Sequence, residues 1–227
     1  MENQTLVQAG TQIRTGAHTG LALTLEGGRS LRVDEHSELA VLSTERLRLA
    51  RGAVYVDSGS DVSRSGIRVE THFGIVEEIG TIFEVRAAGS SLHIRIREGK
   101  VRLDSLEHSV PVEAMAGEEL IVGRDGGLQR RAIPTSDPQW HWAESLASTS
   151  PIEGRPLFQF LQWVARETGR KLTFQNDDIE AISRKVILHG SIRNLAPLEA
   201  LDLMLSTTNL EYTLPNERSI LIQRRPL

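Results

Sequence analysis

From Leu21 to about Gln129 the apolar residues fall two apart. Leu21-Ala22-Leu23-Thr24-Leu25, Leu31-Arg32-Val33, Leu47-Arg48-Leu49 and Leu92-His93-Ile94-Arg95-Ile96-Arg97 all alternate in this way. A period of two gives a strand one buried face and one wet face. Turn signals punctuate the runs at Gly27-Gly28, Asp34-Glu35, Ser58-Gly59-Ser60, Ala88-Gly89-Ser90 and Asp125-Gly126-Gly127. The pattern predicts about a dozen short strands and no helix, an all-β domain built as a sandwich or a short solenoid.

Past Arg131 the alternation lapses. Ile133-Pro134-Thr135-Ser136-Asp137-Pro138 has the composition of a linker, and Trp140-His141-Trp142 after it reads as a hydrophobic latch. Beyond it the period becomes helical. Leu157, Phe160, Leu161, Val164 and Ala165 share one helix face, and Leu198, Leu201, Leu205 and Thr208 trace a second stripe. Lys171–Phe174, Val186–Leu188, Glu211–Leu214 and Ile220–Ile222 supply strands.

The two helical stretches look like copies about 41 residues apart, Ser150–Phe174 and Ser191–Leu214. Pro156 and Pro197 occupy equivalent points, where proline suits the first helical position. Gly169 and Asn209 correspond as left-handed helix ends. The expectation is therefore an all-β domain over 1–132, a linker over 133–150 and a small α/β domain with duplicated βαβ units over 151–227.

Length and composition suit this division. A chain of 227 residues can hold two modest cores. Its 26 basic and 30 acidic residues leave a formal charge of −4, which gives no general attraction to nucleic acid or anionic lipid. Cysteine is absent, so neither disulfides nor thiolate metal sites enter. No run approaches the ~20 apolar residues of a membrane helix, and the first ten residues do not form a signal peptide.

The chemistry of catalysis is missing as well. The histidines, His18, His36, His72, His93, His108, His141 and His189, lack metal-ligand spacing. Glu77 and Glu78 are adjacent on a strand and point to opposite faces, one wet and one buried or paired. Asp177-Asp178 with Glu180 lacks the spacing of a calcium loop and reads as a solvated loop cap. Ser63-Arg64-Ser65-Gly66 reads as a polar connector. No catalytic residue, metal site, cofactor or enzymatic activity is expected.

Four motifs follow in order: R-V-E-T-H-F-G-I-V-E-E-I-G-T-I-F-E-V from Arg68, I-R-E-G-K-V-R-L from Ile96, and A-G-E-E-L-I-V from Ala116, with Gly80-Thr81-x-Phe83-x-Val85 inside the first. Over about 55 residues this set resembles the FecR family, the regulators of bacterial cell-surface signalling. Gly74, Gly80, Thr81, Phe83, Val85, Glu98, Gly99, Val101 and Gly117 carry the resemblance and read as core and turn determinants of a scaffold. Gly80 fits a bulge and Gly99 a tight hairpin. Leu188–Ile192, Pro197–Leu201 and Ser219–Ile222 look like the secretin and TonB short N-terminal domain that follows the FecR domain in many members. Signalling members also carry an asparagine–arginine–tyrosine run, where this chain has Arg166-Glu167-Thr168-Gly169.

The resemblance implies a periplasmic module of a membrane-anchored regulator whose α/β domain receives the signalling domain of an outer-membrane TonB-dependent transducer. Strand addition at Val186, Leu188, Ile220 and Ile222, or docking on a helix face, is the expected contact. The alternative is an envelope or glycan-binding module using a wet strand face with His93, Arg95, Arg97 and Arg102.

Overall fold

The computed structural model describes residues 6–25, 29–59, 66–105, 110–147 and 152–226. Gly27-Gly28, Ser60, the Ser63–Ser65 stretch, His108 and Ser150 lie outside them. The chain divides into two compact units, 1–134 and 135–227.

The first unit is all strand among its described residues. β1 (Leu6–Val7), β2 (Gln12–Arg14), β3 (Leu21–Leu25), β4 (Ser30–Val33), β5 (Glu38–Val41) and β6 (Arg46–Asp57) come first. β7 (Arg68–Thr71), β8 (Gly74–Ala88), β9 (Ser91–Ser105), β10 (Val112–Met115), β11 (Glu118–Gly123) and β12 (Leu128–Ala132) follow. All belong to one 12-stranded sheet, ordered β1-β3-β4-β6-β7-β8-β9-β11-β12, with β10 on β9 and β2 joined to β6 through β5. Hydrogen bonding links these strands into one continuous sheet, and its apolar side chains gather into one cluster running from Val7 to Val122.

Two long strands govern its shape. β8 and β9 pair antiparallel from Ala88–Ser91 at the turn to Gly74–Ser105 at the far end. On the turn side Phe83, Val85, Ala87, Leu92, Ile94 and Ile96 enter the core; beyond Gly80 and Gly99 the inward residues are Val76, Val101 and Leu103. The side-chain phase inverts between these sets because the register shifts between Ile79 and Phe83. Gly80 and Gly99 take φ of 68° and 75°, and a Cβ on Gly99 would stand 2.2 Å from the Gly80 carbonyl oxygen. Only glycine fits both demands.

The bulge leaves backbone donors that a buried carboxylate satisfies. Glu78 turns inward and accepts from the Ile67 N–H at 3.1 Å and the Thr81 N–H at 3.2 Å. Glu77 faces outward and pairs with Arg68 and Arg102.

The second unit departs from expectation in several ways. The stretch read as linker carries a 3-10 turn (Pro138–Trp140) and α1 (His141–Ser145), with Trp140 fully buried. Then come α2 (Leu157–Thr168), β13 (Lys171–Phe174), α3 (Asp177–Lys185), α4 (Pro197–Ser206), β14 (Leu210–Asn216) and β15 (Ser219–Arg224). α3 starts where a loop was expected: Asn176 caps it by accepting from the Ile179 N–H, and Asp177, Asp178 and Glu180 fill the first turn.

Val186–Leu188 does not become a strand of the sheet; it reduces to a bridge between Ile187 and Pro156, held by hydrogen bonds to Gly154, Arg155 and Leu157. The helix-then-strand half of the repeat does recur, as α2–β13 and α4–β14, but complete duplicated βαβ units are not present among the described residues. Its end signals hold in part. Gly169 closes α2 with φ 62° and Pro197 opens α4. Pro156 is instead the cap of α2, and α4 closes at Thr207 with φ −89°, without a left-handed Asn209.

The three strands order as β13-β15-β14, β15 parallel to β13 and antiparallel to β14. Leu157, Phe160, Leu161 and Val164 of α2 and Ala200, Leu201 and Leu205 of α4 meet Leu210, Ile220 and Ile222 in the core.

Gly99→Ala should destabilise the first unit by about 1–3 kcal/mol or more from backbone strain and the clash together. Gly89→Ala, at φ 58° but in open space, should cost about 1 kcal/mol. Urea unfolding of the two variants checks the order; equal costs would show that the close approach at Gly99 does not matter.

Candidate functional site: a charge row and the edges of the small sheet

On the turn side of the bulge, many of the positions facing away from the core are charged. Backbone registers align Arg32, Tyr55, Glu84, Arg95, Glu119 and Arg131 across β4, β6, β8, β9, β11 and β12. Arg95 stands between two carboxylates, 3.0 Å from Glu84 and 2.9 Å from Glu119. Arg86 adds a link from Glu84 at 2.8 Å to Asp34 at 2.7 Å. The Arg32 guanidinium lies 4.8 Å from the Tyr55 ring centroid, a cation–π contact, and Arg97 reaches the Tyr55 hydroxyl at 3.4 Å.

Glu119 is the most heavily engaged carboxylate of the row. It accepts from His93 Nδ1 at 2.9 Å, from Arg95 and from Arg131. Burial alone would raise its pKa. The His93 and Arg131 hydrogen bonds and the charges of Arg95 and Arg131 overcome that and lower it to about 2.

This arrangement corrects the wet-face expectation. Arg95 and Arg97 are buried at 6% and 4% exposure and held by acceptors within the protein. Arg102 falls beyond the phase inversion and pairs with Glu77 and Asp104. His93, Arg95, Arg97 and Arg102 therefore do not form one open surface, which removes the geometry of the glycan alternative. The sequence did show the row, as charged residues alternating with apolar ones. What it hid is that these positions are buried and mutually paired.

The motif residues lie where a scaffold needs them. Phe83, Val85 and Val101 are fully buried, and Thr81 is nearly so. Gly80 and Gly99 form the bulge, Gly74 begins β8 against the backbone of Asp104, and Gly117 turns β10 into β11. Glu98 is exposed beside Gly99.

In the second unit, Ile220 and Ile222 sit at 1% and 0% exposure on the central strand, paired on both sides. They cannot accept an added strand. Leu188 is buried and Val186 half-buried next to the Ile187–Pro156 bridge. The sheet edges belong to β13 and β14 instead. From Thr213 to Asn216 β14 is exposed, Leu214 among its residues. Tyr212 anchors the strand; its pKa is raised by burial and by a hydrogen bond to Asp202. Which strand becomes central depends on pairing distant in sequence, so the alternation alone gave strands without their order.

Among the described residues no group of three or more His, Asp or Glu side chains could hold a metal ion. No helix of the described residues is long and apolar enough to cross a membrane.

With this geometry in view, part of the chain matches a known family. Residues 11–102 match the family model described as FecR protein. That span covers most of the β unit, including the bulge and most of the motif residues. Two crystal structures from Parabacteroides distasonis, each provisionally described as an anti-sigma factor, share the fold. The first has a TM-score of 0.51 at 16% identity and covers 95% of this chain and 100% of its own. The second has a TM-score of 0.50 at 15% identity, covering 95% and 99%. No curated protein matches the sequence.

The depressed Glu119 pKa fixes the sign of a pH effect. A carboxyl whose pKa falls on folding stabilises the protein above its unfolded value and loses that contribution as pH drops toward the folded one. The shift from 4.5 to about 2 corresponds to an upper bound on the order of 3 kcal/mol. Stability should therefore fall between pH ~4.5 and ~2. Glu119→Gln should lower stability at neutral pH and flatten that acid limb; denaturant melts showing an unchanged limb would contradict the assignment.

Proposed function

We propose that this chain is a non-catalytic signalling regulator of the bacterial envelope that acts by protein–protein contact. The observation that carries this reading is the FecR match over residues 11–102, joined to a fold likeness that spans both units of the chain. The solved relative's description as an anti-sigma factor supports a role in sigma-factor regulation. In this reading residues 1–132 are the FecR-like β domain and 151–227 a domain like the secretin and TonB short N-terminal domain. The chain works in the periplasm, held to the inner membrane by a segment ahead of it.

The partner is the signalling domain of an outer-membrane TonB-dependent transducer, taken up at a sheet edge of the second unit. β14 is the better edge, being the longer of the two and exposed from Thr213 onward. An added strand would satisfy its backbone groups, while Leu214 offers an apolar contact. Val186, Leu188, Ile220 and Ile222 then act as the core behind the docking edge, not as the contact itself.

Calorimetric titration of the chain with such a signalling domain tests this. Leu214→Arg and Thr213→Lys place charge at an exposed edge and should weaken binding by about tenfold or more, ~1.4 kcal/mol, without lowering the melting temperature. Residues 1–134 alone should give no heat. Unchanged affinity in both variants would rule out β14, and binding by residues 1–134 would move the contact to the β unit.

A further inference from the structure

Beyond Gly80 and Gly99 the outward face of the first unit differs from the buried row: it is open, and arginine dominates it. Arg46 and Arg48 on β6, Arg68 on β7 and Arg102 on β9 lie 54%, 59%, 55% and 42% exposed. The registers place Arg46, Arg68, Glu77 and Arg102 in one cross-strand line, so Arg46 stands directly opposite Arg68. Like charges directly opposite across strands are destabilising, and exposed ion pairs contribute only ~0–1 kcal/mol each. These pairs account for only a small part of the stability of the sheet.

Part of the donor capacity of this face is left to solvent. Arg46 and Arg48 each give Nε and Nη2 to Glu70, and Arg68 gives the same two to Glu77. Among the described residues no hydrogen bond engages their Nη1 groups. A guanidinium fork with free N–H groups suits a second carboxylate. Positive charge is in slight excess here although the chain carries a net −4: among the described residues four arginines and Lys100 meet Glu70, Glu77, Asp104 and Glu113.

Apolar side chains are set among the charges. Ile75, 39% exposed, is opposite Glu70, while Ile79 at 47% and Met115 at 60% flank Lys100. Three of the chain's large exposed hydrophobic residues thus share one sheet face with the arginines.

We infer that this face is a docking surface for an acidic segment of a protein partner, one whose carboxylates alternate with apolar side chains. Charge complementarity selects that occupant. Strands lie ~4.8 Å apart, so Arg46, Arg68 and Arg102 span roughly 15 Å, the reach of a few extended residues. A continuous anionic lipid surface fits less well. The apolar residues of this face lie flat in a sheet, unlike the face of an inserting helix.

The test uses the full chain and a fluorescein-labelled twelve-residue peptide of alternating Glu and Val, with a Lys–Val peptide as control. Anisotropy should show binding of the acidic peptide alone, weakening as salt shortens the Debye length from about 14 Å to about 6 Å. Arg46→Glu with Arg68→Glu should reduce affinity at least tenfold and Ile79→Ser about threefold. Arg193→Glu, an exposed arginine of the second unit, should change nothing. Circular dichroism confirms folding, and the Ile79→Ser and salt readouts stand even if the double variant unfolds. Failure to bind the acidic peptide, equal binding of the Lys–Val peptide, or indifference to the substitutions would overturn the proposal. So would binding to phosphatidylglycerol vesicles without binding to peptide.

Discussion

The backbones of β8 and β9 approach so closely at Gly80 and Gly99 that no side chain fits between them, and most of the first unit follows from that contact. An extra residue there inverts which side chains face inward. Two strands of 15 residues each can then keep apolar residues in the core along their whole length while the sheet bends. Without the inversion, Val101 and Leu103 would turn to solvent and Lys100 and Arg102 inward.

The same inversion divides the outward face into two chemical zones. On the turn side, charges are buried and spend themselves on each other: Arg95 between Glu84 and Glu119, Arg86 between Glu84 and Asp34. Such a row ties strands in register, since removing one member leaves another charge buried and uncompensated, a loss of about 3–5 kcal/mol. On the far side the charges meet water, and each contributes little to stability. One half holds the scaffold together; the other is available to a partner.

Much of this was legible in the sequence. Alternation marked the strands of β3, β4, β6 and β9, and Gly80 announced its bulge because only glycine tolerates that backbone there. The helix faces of α2 and α4 followed from their spacing, Leu157 to Ala165 and Leu201 to Leu205. What escaped depends on partners far along the chain. Alternation is blind to whether Arg95 meets water or Glu119, because Glu119 is 24 residues away. It is equally blind to β15 lying between β13 and β14, which exchanged the expected edge for a core strand. α3 was missed for a local reason: three acidic residues in a row of polar ones resemble a loop until the Asn176 cap is recognised.

Arg130 on β12 has a consequence for where this protein can self-associate. Its guanidinium hydrogen-bonds the main-chain carbonyl of Glu113 on β10 while it pairs with Glu118. Among the described residues β10 hydrogen-bonds a neighbouring strand only on its β9 side, and bare strand margins invite other chains to stack into fibrils. A cation seated on that oxygen withdraws one of the acceptors a stacking chain would need, so the large sheet guards itself against amyloid-like growth at a place where its own pairing stops.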